Sequence, residues 1–184
     1  GDAARADETL ARAIKAVEVT TASSPARLGV ADALAKSPRW GSAEPLYRAI
    51  VEAERGAPTI RTARAFLGLG FIAERKGDPA LAIEAYRRAA GLDPALLDAR
   101  FNLANLLIRA GHTDEATGLY EAMLRDDATF FPARFNLGRL YERAGRVPEA
   151  RAQYRAFLDG APPAPSYEAA RAHAAARLEA GRER

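Results

Sequence analysis

The chain has 184 residues, of which 48% are hydrophobic and 28% charged, and its 27 basic and 24 acidic residues give a formal net charge of +3. Because the two signs are mixed along the chain, charge alone implies neither nucleic-acid nor membrane binding. The absence of Cys excludes disulfides and thiolate metal sites, and no apolar run is long enough for a membrane span or a signal segment. Ala dominates the hydrophobic residues, which favours helices over strands.

The first segment, residues 1–22, carries apolar residues at helical spacing on an otherwise charged body. The pattern predicts an N-terminal helix with one apolar face, which needs a surface to pack against. A longer array that continues upstream and a stand-alone N-terminal cap both explain such a helix. Because the chain begins at Gly1 without a Met, we expect its start to be trimmed. The apolar residues are Ala6, Leu10, Ala13, Ile14 and Val17.

Residues 25–58 are interpreted as a degenerate helical hairpin. Ser24-Pro25 offers an N-cap and a proline in the first turn, which predicts the first helix, and Ser42 is predicted to start the second. The turn between them contains Trp40, the only Trp of the chain. Packing over the end of the hairpin and anchoring of a partner are both open roles for this side chain.

Between Ala63 and Ala164, one pattern of residues returns three times at a spacing of 34. A period of about 34 residues is typical of arrays of helix-turn-helix hairpins, each of which buries its apolar side by stacking. Reading down the copies gives Leu69, Leu103 and Leu137; Gly70, Ala104 and Gly138; Gly77, Gly111 and Gly145; Ala82, Ala116 and Ala150; and Tyr86, Tyr120 and Tyr154. The small residues of the second column are predicted to face the alanines of the fourth, and the tyrosines to fill the wider space between hairpins.

Asp-Pro pairs and glycines mark the predicted helix ends. Asp78-Pro79 and Asp93-Pro94 each place a capping carboxylate before a proline, so both are predicted to begin helices. The glycines of the third column supply the permissive backbone that reverses the chain after the first helix of each hairpin. We expect helices at 60–76, 79–91, 94–110, 113–126, 131–144 and 147–159.

The end of the chain is predicted to form a cap. Pro162, Pro163 and Pro165 cannot continue a helix. Ser166 is then predicted to cap a last helix within 166–181, whose weakly apolar face covers the stacking surface of the final hairpin.

A family resemblance is clearest in the third repeat, in the residues Phe135-Asn136-Leu137-Gly138, Tyr141, Gly145, Ala150, Tyr154 and Pro162. With these residues the chain resembles the tetratricopeptide repeat (TPR) family, well over residues 63–164 and poorly over 25–58. The resemblance implies an all-α fold, a right-handed α-solenoid of helix-turn-helix hairpins forming a single domain over 1–184. Its parts would be an N-terminal helix, a degenerate repeat, three regular repeats and a C-terminal capping helix, at 1–22, 25–58, 63–96, 97–130, 131–164 and 166–181.

The resemblance also implies that the first helices of the hairpins line a concave groove. Asn side chains there can pair with the backbone of an extended peptide, and Phe101 and Phe135 would add apolar contact. Asn102 and Asn136 also match the generic motif, so a role in tying neighbouring helices together stays open. The predicted partner-binding residues are Leu67, Phe71, Arg75, Phe101, Asn102, Asn105, Arg109, Phe135, Asn136, Arg139 and Arg143.

Three of these residues, Arg75, Arg109 and Arg143, form a basic column near the ends of first helices. A cation there suits the dipole of a helix C-terminus, and a basic stripe for an acidic ligand is the other open role.

No arrangement in the sequence predicts an enzyme. His112 and His173 lie far apart in sequence, in a turn and a terminal helix, and neither belongs to a carboxylate–nucleophile arrangement of the kind that acid–base or metal chemistry needs. Asp126-Asp127 is an adjacent acidic pair at a helix end, which is more typical of a solvated turn than of a metal site. We therefore predict no catalytic residue, no metal site and no cofactor.

We expect a non-catalytic module that binds a protein or peptide segment in the concave groove. The alternative is an assembly or appendage segment of a larger protein, with a homo-oligomer formed through the N-terminal helix. Neither nucleic acid nor direct membrane insertion is expected, because Glu74 and Glu142 interrupt the groove and no span is present. The excess of Arg over Lys, together with the high Ala content, suggests a GC-rich bacterial coding sequence. We expect a soluble protein of the bacterial cytoplasm or periplasm, and the sequence does not choose between these compartments.

Overall fold

The computed structural model describes Arg12 and residues 23–180, and the predicted N-terminal helix over 1–22 otherwise lies outside the described residues. The described part is helical and contains no strand. Short 3-10 helices at Trp40–Ala43 and Pro165–Tyr167 interrupt the series. The α-helices are α1 (Ser24–Ala35), α2 (Glu44–Ala53), α3 (Ile60–Arg75), α4 (Pro79–Leu92), α5 (Leu97–Arg109), α6 (Thr113–Asp126), α7 (Phe131–Arg143), α8 (Val147–Gly160) and α9 (Glu168–Glu179).

The chain divides into two compact units, residues 1–106 and 107–184, called here the N-terminal and the C-terminal unit. In the N-terminal unit, α1 packs on α2, α2 on α3, and α3 on α4. In the C-terminal unit, α6 packs on α7, α7 on α8, and α8 on α9. Each unit therefore joins consecutive helices side by side, as expected for hairpins that bury their apolar faces by stacking.

The core of the N-terminal unit includes residues of α1, α2 and α3. Leu34 and Ile50 are fully buried there, and Tyr47 is 2% exposed. Trp40 is half-buried against this core, in the turn between α1 and α2. This placement agrees with the packing role that the sequence left open for the single Trp.

The structure confirms the prediction that a glycine with a permissive backbone follows the first helix of each regular hairpin. Gly77, Gly111 and Gly145 have φ of +78°, +86° and +72°, in the region that glycine adopts without steric cost. After the first of them, the Asp78 N–H donates to the Ala73 carbonyl at 2.9 Å. The Asp78 carboxylate accepts from the Leu81 N–H at 3.0 Å, so this residue caps α4 as predicted.

Other capping residues differ from those predicted. Asp93 does not begin a helix, because its carboxylate accepts from the Ala95 N–H at 3.0 Å and folds the segment into a turn that delays α5 to Leu97. The N-cap of α1 is Ser23 instead of Ser24, and its side chain makes no cap hydrogen bond. Ser42 and Ser166 both lie within the 3-10 helices, so α2 and α9 begin only afterwards.

The glycines of the second repeat column contact tyrosine rings. A Cβ added at Gly70 would lie 2.5 Å from the Tyr86 ring, and one at Gly138 would lie 2.8 Å from the Tyr154 ring. The sequence predicts that alanines of the second helix approach these glycines, but the atoms nearest to the added Cβ belong to the tyrosine rings. The rings are also fully or almost fully buried within their own hairpins, which the small residues make possible.

Candidate binding site

A cavity of about 600 Å³ opens in the N-terminal unit between α1, α3 and α5. Its volume lies in the range of small-ligand pockets, about 300–1,000 Å³. Helix α5 contributes Asn102 and Asp98, and α1 contributes Asp32. Four residues of the predicted groove line this cavity together, namely Leu67, Phe71, Arg75 and Asn102.

One wall of the cavity is held by a hydrogen-bonded group around Asp32. The Tyr47 hydroxyl donates to Asp32 Oδ1 at 2.9 Å, and Arg64 Nη2 donates to Asp32 Oδ2 at 2.5 Å. Burial raises the pKa of Tyr47 above its usual value, and the charge of Asp32 raises it further. Gly68 leaves room for this ring, since a Cβ there would lie 2.3 Å from it. The wall is therefore fixed by both packing and charge.

Arg75 lies at the end of α3 with two aromatic rings beside its guanidinium. The guanidinium carbon is 4.8 Å from the centre of the Trp40 ring and 5.6 Å from that of Phe71. Both distances are short enough for cation–π attraction, which reaches to about 6 Å. Phe71 remains 38% exposed, so the pair of side chains faces the cavity without being sealed from solvent.

The remaining predicted residues of α5 stand apart from this cavity. Phe101 and Asn105 are half-buried in the N-terminal unit, and Arg109 is exposed on the part of α5 that belongs to the C-terminal unit. None of the three is among the residues that line the cavity. Their role in binding stays a prediction.

In the C-terminal unit, two predicted groove residues have contacts inside the protein. The Phe135 ring packs 5.4 Å from Phe157 and 5.6 Å from His173, measured between centroids. Asn136 Nδ2 donates to the Tyr120 hydroxyl at 3.1 Å, so this amide ties α7 to α6. Arg139 and Arg143 are exposed on α7. The helix-tying role that the sequence left open for Asn136 is thus present in the structure.

Glu142 connects the last repeat to the terminal helix α9. It accepts a hydrogen bond from the Tyr154 hydroxyl at 2.7 Å and forms an ion pair with Arg177 at 2.7 Å. His173 Nε2 lies 3.6 Å from the same carboxylate. Burial and the neighbouring Glu142 both raise the pKa of Tyr154. Helix α9 is therefore held in place by charge as well as by apolar packing.

Sequence reasoning missed several residues of the cavity. Asp32 and Lys36 lie in the degenerate repeat, where the period of 34 gives no register. Arg64 and Asp98 do share one column of the regular repeats, and reading that column would have found them. The contact of Trp40 with Arg75 depends on the shape of an irregular turn and leaves no signal in the sequence.

Two further cavities, of about 410 and 480 Å³, lie in the N-terminal unit beside α3 and α4. Phe66 and Arg88 line both, and the Arg88 guanidinium stands 5.5 Å from the centre of the Phe66 ring. Across Arg12 and residues 23–180, no group of His, Asp and Glu is arranged to hold a metal ion. The same residues include no helix with the length and apolar character needed to cross a membrane.

The repeated hairpins define an all-α helical repeat protein. Two sequence profiles described as Tetratricopeptide repeat match residues 63–96 and 101–165, which together make up more than half of the chain. The chain belongs to the tetratricopeptide repeat family. No curated protein shows significant sequence similarity to it. Members of this family bind protein or peptide partners and are generally non-catalytic, so the chain is a protein-interaction module.

Solved structures share the fold. A crystal structure of MamA is 21% identical and has a TM-score of 0.73, with 84% of this chain and 88% of that chain covered. YrrB, described as a TPR protein with an unusual peptide-binding site, is 22% identical with a TM-score of 0.69, covering 94% of this chain and 84% of that chain. A tetratricopeptide repeat protein from Parabacteroides merdae is 18% identical with a TM-score of 0.70, covering 85% of this chain and 60% of that chain. At these identities the likeness establishes the helical repeat fold.

Proposed function

We propose that the chain captures an extended peptide segment of a partner protein in the cavity between α1, α3 and α5, and that it catalyses no reaction. The observation that carries the proposal is the meeting of apolar, amide and cationic side chains in one cavity. Leu67 and Phe71 supply apolar surface, Asn102 supplies a donor and an acceptor, and Arg75 supplies a positive charge. Such a combination of apolar lining with a few polar groups is typical of ligand sites.

The chemistry of the cavity suits a polypeptide backbone. Asn102 offers both an N–H donor and a carbonyl acceptor, which is the pair that an extended peptide presents at each residue. The neighbouring apolar side chains of Leu67 and Phe71 accept a side chain of the ligand without requiring one particular shape. The site is therefore suited to a peptide more than to a rigid polar metabolite.

The walls of the cavity are set before a ligand binds. The hydrogen bonds of Tyr47 and Arg64 to Asp32 fix α1, α2 and α3 against one another. A preformed wall reduces the conformational entropy lost on binding, which favours affinity. Of the other predicted groove residues, Arg139 and Arg143 are exposed and are proposed as additional partner contacts in the C-terminal unit.

The proposal is tested by selecting peptides from a displayed random library on the full chain and measuring their affinity by calorimetry. Phe71→Ala combined with Asn102→Ala is expected to weaken the selected peptides by about tenfold or more, since two side chains that meet the ligand are lost. Leu81→Ala is the matched control, because Leu81 is 54% exposed and lines a different cavity.

The control variant is expected to bind like the wild type, and all three proteins should have the same far-ultraviolet circular dichroism. Failure to select any peptide would overturn the proposal. Equal affinity of the double variant and the wild type would also overturn it, because binding would then lie elsewhere.

A further inference from the structure

We propose that the peptide held in this cavity carries an acidic side chain, and that Arg75 binds its carboxylate. The inference rests on the proposed function and names the chemistry of the segment that the cavity accepts. Its ligand class is an extended peptide with a Glu or Asp next to an apolar residue.

Two aromatic rings position the Arg75 guanidinium. Trp40 and Phe71 lie 4.8 and 5.6 Å from the guanidinium carbon, so two rings limit where this long side chain can go. Within the part of the chain that the structure describes, no carboxylate or carbonyl accepts a hydrogen bond from this guanidinium. Its N–H groups, which match the two oxygens of a carboxylate, are thus positioned and available.

The end of α3 does not need Arg75 as a hydrogen-bond donor. An arginine at a helix C-terminus can bond the last carbonyls of the helix. At the end of α3 those carbonyls already have backbone donors, since Lys76 N–H donates to Ile72 at 3.0 Å and Gly77 N–H to Glu74 at 3.0 Å. The helix end therefore has no need of Arg75 as a hydrogen-bond donor, although the dipole still favours a cation there.

The charge that remains in the cavity, once ion pairs are counted, is positive. Asp32 is neutralised by Arg64, with Nη2 and Oδ2 2.5 Å apart. Among the described residues that line the cavity, Arg75 and Lys36 are cations without an ion-pair partner. Asp98 is the one lining carboxylate that also has no ion-pair partner. Two available cations against one anion favour an acidic ligand over a basic one.

Apolar surface lies beside the guanidinium in the same cavity. Leu67 and Phe71 line the same cavity as Arg75, so a bound peptide that covers them also excludes water from the charged pair. A charge pair is worth more in such surroundings than on an open surface. Arginine is suited to this position, because its guanidinium is less strongly hydrated than an ammonium group and stacks on rings.

The inference is tested with the peptides selected on the full chain. Each acidic residue of a selected peptide is replaced in turn by its amide, Glu by Gln or Asp by Asn, and both forms are titrated against wild type and Arg75→Gln. For one acidic residue, the amide form is expected to bind the wild type about tenfold more weakly, but the two forms should bind Arg75→Gln equally. Arg75→Lys should recover only part of the affinity, because the planar fork is lost.

Two further variants sharpen the result. Asp98→Asn is expected to tighten binding of the acidic peptide, because the opposing carboxylate is removed. Arg88→Gln is the matched control, since Arg88 also lies over an aromatic ring but outside this cavity. Trp40 is the only Trp, so its fluorescence reports directly on the surroundings of Arg75 during the titration.

The outcomes separate the inference from the function on which it rests. If the amide forms weaken binding equally in wild type and Arg75→Gln, or if the selected peptides contain no acidic residue, the inference is overturned while peptide capture stands. If no peptide is selected, or if the change at Phe71 and Asn102 has no effect, both are overturned.

Discussion

The hydroxyl of Tyr154 donates a hydrogen bond to Glu142 at 2.7 Å, across the two helices of the last hairpin. The same relationship occurs in the first regular repeat, where Tyr86 donates to Glu74 at 2.9 Å. In both cases the two residues are 12 positions apart in sequence. The repeated tyrosine is therefore buried by packing and also fixed in orientation by an acidic residue of the partner helix.

The middle repeat uses a different partner for its tyrosine. Ile108 occupies the position of the acidic residue, and its side chain cannot accept a hydrogen bond. The Tyr120 hydroxyl instead accepts from Asn136 at 3.1 Å. Asn136 therefore bonds the tyrosine hydroxyl of the middle repeat, where Glu74 and Glu142 bond those of the other two repeats.

We predict that Tyr154→Phe lowers the free energy of unfolding by about 1 kcal/mol, because the short hydrogen bond to Glu142 and the longer contact with His173 at 3.4 Å are lost while the ring stays packed. Glu142 keeps its ion pair with Arg177, which limits the loss. Tyr154→Ala should cost about 3–5 kcal/mol, since the ring itself is removed from a buried site. Urea unfolding followed by circular dichroism measures both values.

Tyr167→Phe is the control for this change, because the Tyr167 ring packs on Phe131 and Phe157 and its hydroxyl has no hydrogen-bond partner among the described residues. It should leave stability unchanged. A Tyr154→Phe protein as stable as this control would contradict the role given to the hydroxyl.

We predict that Gly68→Ala lowers the free energy of unfolding by about 1–3 kcal/mol, because the new methyl group overpacks a filled site. The added Cβ would lie 2.3 Å from the Tyr47 ring, which is buried and held to Asp32 by a hydrogen bond. Gly29→Ala is the matched control inside α1, where nothing lies within 4 Å of the added atom.

The control should stabilise the protein by about 0.5–1 kcal/mol, since Ala favours helix more than Gly does. Thermal and urea unfolding distinguish the two signs. If both variants gained stability, Tyr47 would not be pressed against the backbone of α3.

The periodic part of the sequence predicts the regular features of the fold. Gly77, Gly111 and Gly145 recur in one column, and all three have the positive φ that their position demands. Asp93 shows the limit of such local signals, because an Asp-Pro pair suits both a helix start and a turn. Its carboxylate accepts a hydrogen bond from the Ala95 N–H, and the segment forms a turn instead of a helix start.

The cavity could be predicted only in part. Leu67, Phe71 and Asn102 follow from the columns of the repeat, and they do line the cavity. Trp40 could not be placed, because its contact with Arg75 depends on an irregular turn in the degenerate repeat. Contacts between a regular and an irregular element have no period, so the sequence carries no register from which to infer them.

We predict that Glu54→Gln lowers the free energy of unfolding by about 1.5–3 kcal/mol at neutral pH, as for hydrogen bonds to a charged group. Burial raises the pKa of Glu54, but hydrogen bonds from Thr59, Thr62, Arg61 and Ser24 outweigh it and lower the pKa from 4.5 to about 2. A lowered pKa of a carboxyl group stabilises the folded state above pH 4.5, and this stabilisation is lost as the pH falls to about 2.

The difference in stability between wild type and Glu54→Gln should therefore shrink over this acid range. Glu52→Gln is the control, since Glu52 is exposed and pairs only with exposed Arg55 at 2.5 Å. Urea unfolding at a series of pH values gives the comparison. A constant difference across the acid range would mean that Glu54 titrates alike in the folded and unfolded chain.

We predict that the C-terminal unit loses stability between pH 10 and about pH 12, because Tyr120 and Tyr141 must stay protonated in the folded state. Burial raises the pKa of Tyr120 from 10.0 to about 12, and the hydrogen bond from Asn136 only partly opposes it. Burial, together with Glu121 as hydrogen-bond acceptor at 2.6 Å, raises the pKa of Tyr141 to about 12. A raised tyrosine pKa stabilises the folded state fully below pH 10, and the stabilisation is lost as the pH rises through the folded-state value.

Tyrosinate absorbance should then rise at higher pH in the native protein than in urea, and Tyr141→Phe should make stability less dependent on pH in this range. Equal titration midpoints in native and unfolded protein would show that these hydroxyls are open to water, against the buried positions of both rings.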